Sequence, residues 1–300
     1  MRKLLFFISM VLGVESDAQQ DWMYSMQTLN LYDGNAAAAG MYDRAAVNLR
    51  TRNQWVGIEG APNTQLLSFH APIKDKPLAF GLRIMHEGIG ILDRSMGVVH
   101  LAYKLKLGAG ELSFALGGGI AIDLMDLEAL NALDDETILT SNVQQSTILT
   151  EGAALYRTKC FFLGVEGRHL LRNQVEWMEL TTDGRATEVL AMAGATLGVR
   201  ENWSLRPLVA LRFSTTGQVL PEAQLGAWFK KTFWMGAGYR LESSAYAFAE
   251  YRIKRKYRIG YSFGMATQAW SVGQASTHEI MLGILFGKPT TNLSSLRLFQ

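Results

Sequence analysis

Tyr257-Arg258-Ile259-Gly260-Tyr261-Ser262-Phe263-Gly264 is the stretch on which the reading of this chain turns. Tyr257, Ile259, Tyr261 and Phe263 share one parity; Arg258, Gly260, Ser262 and Gly264 share the other. A period of two is the mark of a β-strand, because successive side chains alternate across a sheet. Here one face is aromatic and apolar, and the other is small or charged. Working outward, Leu112 to Asp123 repeats the pattern: Leu112, Phe114, Leu116, Ile120 and Ile122 oppose Ser113, Ala115, Gly117, Gly119 and Asp123.

Comparable segments fall near residues 45–56, 63–71, 78–86, 95–106, 111–124, 147–157, 160–170, 187–200, 203–213, 222–230, 232–240, 245–253, 256–264 and 277–287. That is about fourteen strands, an even number, as single-chain bacterial barrels have. The fold expected is all-β: a transmembrane outer-membrane β-barrel of antiparallel strands, lipid outside and a polar lumen inside. The connections carry an independent signal. Those near 72–77, 107–110, 158–159, 201–202, 231 and 254–255 are short, whereas 125–146, 171–186, 214–221 and 265–276 are longer. Short turns alternating with long loops put both termini in the periplasm. Two members of the long set, near 57–62 and 241–244, are short. The last strand, His278 to Phe286, sets Ile280, Leu282, Ile284 and Phe286 toward lipid, and closure would remove its otherwise hazardous edge.

Bulk composition agrees. The chain is 48% hydrophobic with mean hydropathy +0.05 and only 19% charged. Beyond the first residues no apolar run reaches the roughly 18 residues a spanning helix needs. A net charge of +2 gives no footprint for nucleic acid. The lone Cys160 excludes an internal disulfide and falls at an expected turn. Residues 1–18 read as a secretory leader: Arg2 and Lys3, an apolar Leu4 to Val14, then Ser16-Asp17-Ala18 as a small-x-small cleavage site. The expected organisation is a signal peptide (1–18), an N-terminal periplasmic or lumenal segment (19–44), the barrel (45–287) and a periplasmic tail (288–300).

Face assignment lines the lumen with Asn48, Arg50, Arg52, Gln54, Arg83, Lys104, Glu151, Glu166, Arg168, Arg200, Arg206, Arg212, Arg240, Glu250 and Arg258. Two readings fit. The interior either favours anions or grips an acidic segment, or its arginines pair with glutamates and backbone to fill a narrow barrel. Charged residues belong on a lumen face in any case, since they face lipid only at a cost. Trp22, Trp55, Trp177, Trp203, Trp228, Trp234 and Trp270 fall near strand ends or in loops, as an interfacial girdle does. Asp126, Glu128, Asp134, Asp135 and Glu136 make loop 125–146 acidic; it reads as a solvated surface or as a binder of a cation or basic partner.

The pattern holds no G-x-S-x-G, H-E-x-x-H or paired-cysteine spacing. Ser276-Thr277-His278-Glu279 brings hydroxyl, imidazole and carboxylate together in sequence, but strand neighbours point to opposite faces, so His278 and Glu279 should not converge. No enzymatic activity, cofactor or metal is expected.

Arg52-Asn53-Gln54-Trp55-Val56-Gly57-Ile58-Glu59-Gly60-Ala61-Pro62-Asn63-Thr64-Gln65, running on to Leu67-Ser68-Phe69-His70-Ala71-Pro72, resembles the PorP/SprF family. That family typically opens with Q-Q-D-x-x-x-S-x-x-x-x-N-x-x-x-x-N-P-A-x-A-G. Gln19-Gln20-Asp21, Ser25, Asn30 and Asn35-Ala36-Ala37-Ala38-Ala39-Gly40 follow it, with Ala36 where the family has proline. The Y-S-F-G of the closing strands and His278-Glu279-Ile280 also look like the family's. In the hairpin, Arg52, Gln54, Thr64, Ser68 and His70 should face the lumen, Trp55 the lipid interface, and Gly57, Gly60 and Pro62 the turn; the motif serves as a structural plug or as a docking site. Loss of proline at Ala36 should loosen the N-terminal segment. The resemblance implies a non-enzymatic component of type IX secretion and gliding machinery, set among outer-membrane lipids. Its implied partners are periplasmic ring or lipoprotein components and secreted cargo bearing a C-terminal sorting domain. A solute porin with an arginine-rich lumen is the alternative.

Overall fold

The structure, a computed structural model, describes residues 24–126, 142–171, 174–177, 180–183, 185–200, 202–267 and 276–287. Its strands are β1 (Ala45–Asn53), β2 (Asn63–Pro72), β3 (Leu78–Ile89), β4 (Leu92–Leu107), β5 (Gly110–Met125), β6 (Val143–Arg157), β7 (Phe161–Arg168), β8 (Gln174–Trp177), β9 (Leu180–Asp183), β10 (Glu188–Ala195), β11 (Leu197–Arg200), β12 (Trp203–Ser214), β13 (Val219–Phe229), β14 (Phe233–Arg240), β15 (Ser244–Ile253), β16 (Tyr257–Ala266) and β17 (Ser276–Phe286). Fifteen of them form one antiparallel sheet in which β1 to β7, and likewise β11 to β17, pair in sequence order. Pairing of β1 with β17, and of β10 with both β7 and β12, closes the sheet on itself.

β10 and β11 are two lengths of one stave. Gly194 lies opposite Leu208 and Leu197 opposite Leu205 on the same partner strand. Between them the amide of Thr196 carries the β7 pairing one residue further, donating to the Cys160 carbonyl (2.7 Å). The barrel therefore has fourteen staves, each where the period-two pattern put it. β8 and β9 stand apart as a two-stranded hairpin inside the 171–186 connection, which had read as plain loop. Among the described residues no helix is long and apolar enough to cross a membrane.

The faces divide as alternation requires. Tyr257, Ile259, Tyr261 and Phe263 are exposed on the outer wall, while Arg258, Gly260, Ser262 and Gly264 are buried inside. On β5, Phe114, Leu116, Ile120 and Ile122 point out, and Ser113, Ala115, Ala121 and Asp123 point in. The turn-length contrast survives with two revisions. The connection expected long at 214–221 is only residues 215–218, because β12 and β13 stay paired up to Phe213 and Val219. The β3–β4 hairpin stays paired up to Ile89 and Leu92, leaving only Gly90 and Ile91 at a tip on the long-loop mouth.

What fills the barrel is its own beginning. Residues 24–42 form three short helical turns, Gln27–Leu29, Leu31–Gly34 and Ala36–Ala38, threaded through the lumen. Gly40 packs against Pro72 and Ala79 beside the β2–β3 turn. At the far end Tyr24 packs with Leu66, Met85 and Met96 toward the opposite mouth. The hydrophobic core is thus the contact between this segment and the wall, in place of a second sheet or a helix layer.

Candidate functional site

The plug is held from both ends and from two sides. At its start, the Ser25 amide donates to both carboxylate oxygens of Glu279 (2.7 and 3.0 Å), which also pairs with Arg52 (3.3 Å). The Ser25 carbonyl accepts from Gln224 (3.1 Å). Arg50 stacks over the Tyr24 ring (4.6 Å) and pairs with Asp33 (3.0 Å). At its finish, the Gly40 carbonyl accepts from Lys104 (2.8 Å) and the Met41 carbonyl from Arg157 (3.1 Å). The Gly40 amide donates to His70 Nδ1 (3.0 Å). Gly40 has φ +65°, and a Cβ there would sit 2.7 Å from Ala79 Cβ, so this position demands glycine twice over.

Midway, β3 to β7 present a charged cradle. Arg83 binds Glu151 (2.9 Å) and Glu166 (3.0 and 3.1 Å), and also donates to the Asp33 carbonyl (3.3 Å). Arg168 donates to Glu166 (2.7 Å) and to the same Asp33 carbonyl (3.0 Å). His100 Nε2 lies 2.7 Å from Glu151 and Nδ1 lies 2.7 Å from the Tyr32 hydroxyl. A neutral imidazole protonated on Nε2 satisfies both contacts, donating to Glu151 and accepting from Tyr32.

The motif asparagines work here. Asn30 donates to Asp33 (2.6 Å) and Ser68 (3.1 Å). Asn35 caps the Ala36–Ala38 turn by accepting from the Ala37 amide (2.9 Å). Its Nδ2 donates to the carbonyls of Ala154 and Val165 on β6 and β7. The Ala36 amide donates to Glu166. That corrects the expectation that alanine loosens the segment: a proline here would have no N–H to give.

On the other side, β13 to β17 present an aromatic cradle. Trp228, Trp234, Tyr246 and Phe248 pack with Met281 against Met26 and Leu29 of the plug. Trp228 and Trp234 therefore do not belong to an interfacial girdle. They lie inside, edge to face at 4.9 Å, with the Arg206 guanidinium over both rings (5.6 and 5.1 Å). Strand parity carried the signal, since Trp228 shares a face with Gln224 and Gly226, and Trp234 with Gly236 and Arg240. Nearby, Arg240 binds Glu222 (2.7 Å), Arg258 binds Glu250 (2.8 Å) and the Tyr42 hydroxyl (3.1 Å), and Arg212 binds Glu188 (2.7 Å).

The first-hairpin motif splits into two. Arg52, Thr64 and His70 point inward; Thr64 bonds Glu87 (2.9 Å), and His70 stacks on Tyr42 with Tyr32 tilted against it. Asn53 and Asn63 bond each other across the strand pair, with Gln65 donating to Asn63 (3.3 Å). Gln54, at the strand end, is half-buried, its amide bonded to the Pro62 carbonyl (2.9 Å). The tip is external: Trp55 is 42% exposed, Gly57 and Gly60 have φ +98° and +70°, and Val56 bonds the Ser276 carbonyl (3.0 Å). The lumen is plugged by the N-terminal segment, not by this hairpin tip.

The remaining expectations distribute simply. His278 stands outside, 2.7 Å from the Tyr261 hydroxyl and 3.2 Å from Ser276, while Glu279 faces inward. A second exterior histidine, His86, touches Ser95 (3.1 Å). Cys160 is exposed in its turn. Trp22, Trp270, most of loop 125–146, the tail and the side chains of Trp177 and Arg200 lie outside the described residues.

The family model described as "Type IX secretion system membrane protein PorP/SprF" matches residues 16–284. No curated protein matches. Among solved structures, Omp33 of Acinetobacter baumannii aligns over 81% of this chain and 98% of its own, with TM-score 0.50 and 9% identity. A FadL homologue of Pseudomonas aeruginosa aligns over 84% of this chain and 92% of its own, with TM-score 0.50 and 11% identity. At such identities the likeness is one of fold, that of an outer-membrane barrel.

Proposed function

Since the chain belongs to the PorP/SprF family of type IX secretion system membrane proteins, we propose that it works there as a non-enzymatic, self-plugged docking barrel. It binds a secreted or surface-anchored cargo, periplasmic ring or lipoprotein partners, or both. The observation that carries this reading is the buried N-terminal segment, residues 24–42, bonded to the wall at both its ends. A barrel occupied by its own chain offers partners its mouths and loops rather than a wide channel. On this reading the mouth at which β1 begins and β17 ends is the periplasmic one, since the connections there are all short; the plug then carries Tyr24 toward the outer mouth, against the expectation that both termini are periplasmic.

The solute-porin alternative drew on the arginines of the lumen. Arg50, Arg83, Arg168, Arg212, Arg240 and Arg258 are each matched to a carboxylate, which supports filling over anion conduction. The test is the extracellular and surface proteome of a clean deletion strain against its parent. Loss of many secreted proteins marks a core component, and loss of one adhesin marks a dedicated partner. Unchanged secretion and display would sink the reading and return solute uptake to the front.

A further inference from the structure

The described lysines all lie toward one mouth of the barrel. On the β13–β14 turn stand Lys230 and Lys231, and on the β15–β16 turn Lys254, Arg255 and Lys256, all exposed. Round the rim, Lys74 and Lys76 occupy the β2–β3 turn and Lys159 the β6–β7 turn. The opposite mouth exposes Glu59, Asp93 and Glu242. Among the described residues the exposed charge is thus polarised end to end, with Asp75 the one exposed acid on the lysine side.

Turn chemistry supplies an independent observation. Thr232 bonds back to Phe229 (3.1 Å) and Lys256 to Ile253 (3.0 Å), so each turn has two central residues. All four of these have positive φ: Lys230 51°, Lys231 55°, Lys254 50° and Arg255 52°. Each lies in a three-residue connection, and a turn with positive φ at both central positions strongly prefers Asn, Asp or Gly, because other side chains are strained there. Here the chain holds Lys-Lys and Lys-Arg at those positions, backbone outliers from which a functional hypothesis can start.

The direction of the side chains narrows the partner. Lys230 Nζ lies 5.3 Å from the centre of the Phe229 ring, which faces outward against Trp203 (4.8 Å). Lys256 Nζ lies 5.2 Å from the ring of Tyr257, exposed on the outer wall. These ammonium groups lean over the aromatic band at the edge of the apolar wall, not across the mouth. Aromatic bands sit at headgroup level. The charges also run round the perimeter instead of gathering in one patch, as suits a partner that surrounds the barrel.

We propose that this basic rim binds the phosphates of anionic phospholipids in the membrane leaflet at the short-turn mouth. Lysine and arginine near a membrane surface are drawn to anionic headgroups, and the attraction fades beyond a Debye length. The inference goes beyond the secretion role and stands whether or not that role holds.

The test uses the full chain refolded into phosphatidylcholine bilayers, with brominated phosphatidylglycerol or brominated phosphatidylcholine as quencher of tryptophan fluorescence. Trp203, exposed beside the Lys230 turn, is the local reporter. We expect about a tenfold preference for the anionic quencher, falling as salt is raised. The informative variant combines Lys230→Asn, Lys231→Gly, Lys254→Asn and Arg255→Gly with Lys256→Gln. Its turns suit their backbone better, so it should fold at least as well while the preference drops toward parity. Equal quenching by both lipids in the unaltered protein, or a preference kept by the variant, overturns the proposal. A variant that keeps its lipid preference but loses a co-purifying acidic protein would assign the rim to a protein partner instead.

Discussion

The two sides of the lumen hold the same plug by different physics. From β3 to β7 the wall grips Tyr32, Asp33 and Ala36 with charge: Arg83, Glu151, Glu166, Arg168 and His100 form one connected network. From β13 to β17 it grips Met26 and Leu29 with rings: Trp228, Trp234, Tyr246 and Phe248. The charged side depends on every partner being present, because a lone buried ion is costly. The aromatic side depends on space. A Cβ on Gly226 would lie 2.5 Å from the Trp234 ring, and one on Gly238 would lie 2.4 Å from Tyr246. One cradle should therefore fail by deletion and the other by addition.

The largest effect is expected from Arg83→Met. It strips Glu151 and Glu166 of their shared cation and should cost about 3–5 kcal/mol, read by urea unfolding of the refolded barrel in detergent. Adding Glu151→Gln should recover much of that loss, since it restores charge balance while Glu166 keeps Arg168 as its cation, and the penalty lies in unpaired charge rather than in missing contact. If the double variant is no better than the single one, the charged cradle is a matter of shape like its neighbour, and the comparison collapses.

Next comes Gly226→Ala, which adds one methyl group against Trp234 and should cost about 1–3 kcal/mol by overpacking. Trp234→Phe in the same chain shrinks the ring and should relieve part of it. A Gly226→Ala barrel as stable as the parent would show that the aromatic side is loosely packed and that the ring sockets are incidental.

These two outcomes bear on what the sequence made legible. Inside versus outside was readable nearly everywhere, because period-two alternation is local and lipid imposes it on every stave. Arg50, Arg83, Glu166 and Arg258 were assigned to the lumen on that basis, and they are buried there. Trp228 and Trp234 were misread because position near a strand end was given more weight than parity. Gly226, Gly236 and Gly238, sharing that inward parity, were the clue to ring sockets. The plug was the least legible part. Asn35 to Gly40 has no periodicity, and the partners of Asn35 and Ala36 lie over a hundred residues away on β6 and β7. Only the resemblance marked Asn30, Asn35 and Gly40, and it could not say what they touch. β8 and β9, four residues each, were too short to show a period.

A smaller change probes where the plug meets the charged side. Tyr32→Phe removes the hydroxyl that His100 Nδ1 accepts and leaves that nitrogen buried without its partner, at about 1–2 kcal/mol. The loss should shrink when Glu151→Gln is already present, because the imidazole is then free to change tautomer. Strict additivity would mean that Tyr32 and Glu151 are not coupled through His100.

The smallest effect belongs to Ala36→Pro, which restores the residue the family carries. Two consequences oppose each other. Proline fits the first position of a helical turn and reduces the freedom of the unfolded chain, a gain of about 0.4–1 kcal/mol. It also removes the amide that donates to Glu166, a bond to a charged acceptor worth about 1.5–3 kcal/mol. The net should be a loss of about 1 kcal/mol. With Glu166→Gln in place the charged acceptor is gone, and the same proline should turn neutral or stabilising. A proline that stabilises the otherwise unaltered barrel would mean that Glu166 is already satisfied by Arg83 and Arg168, with the backbone of the plug a bystander to the charged cradle.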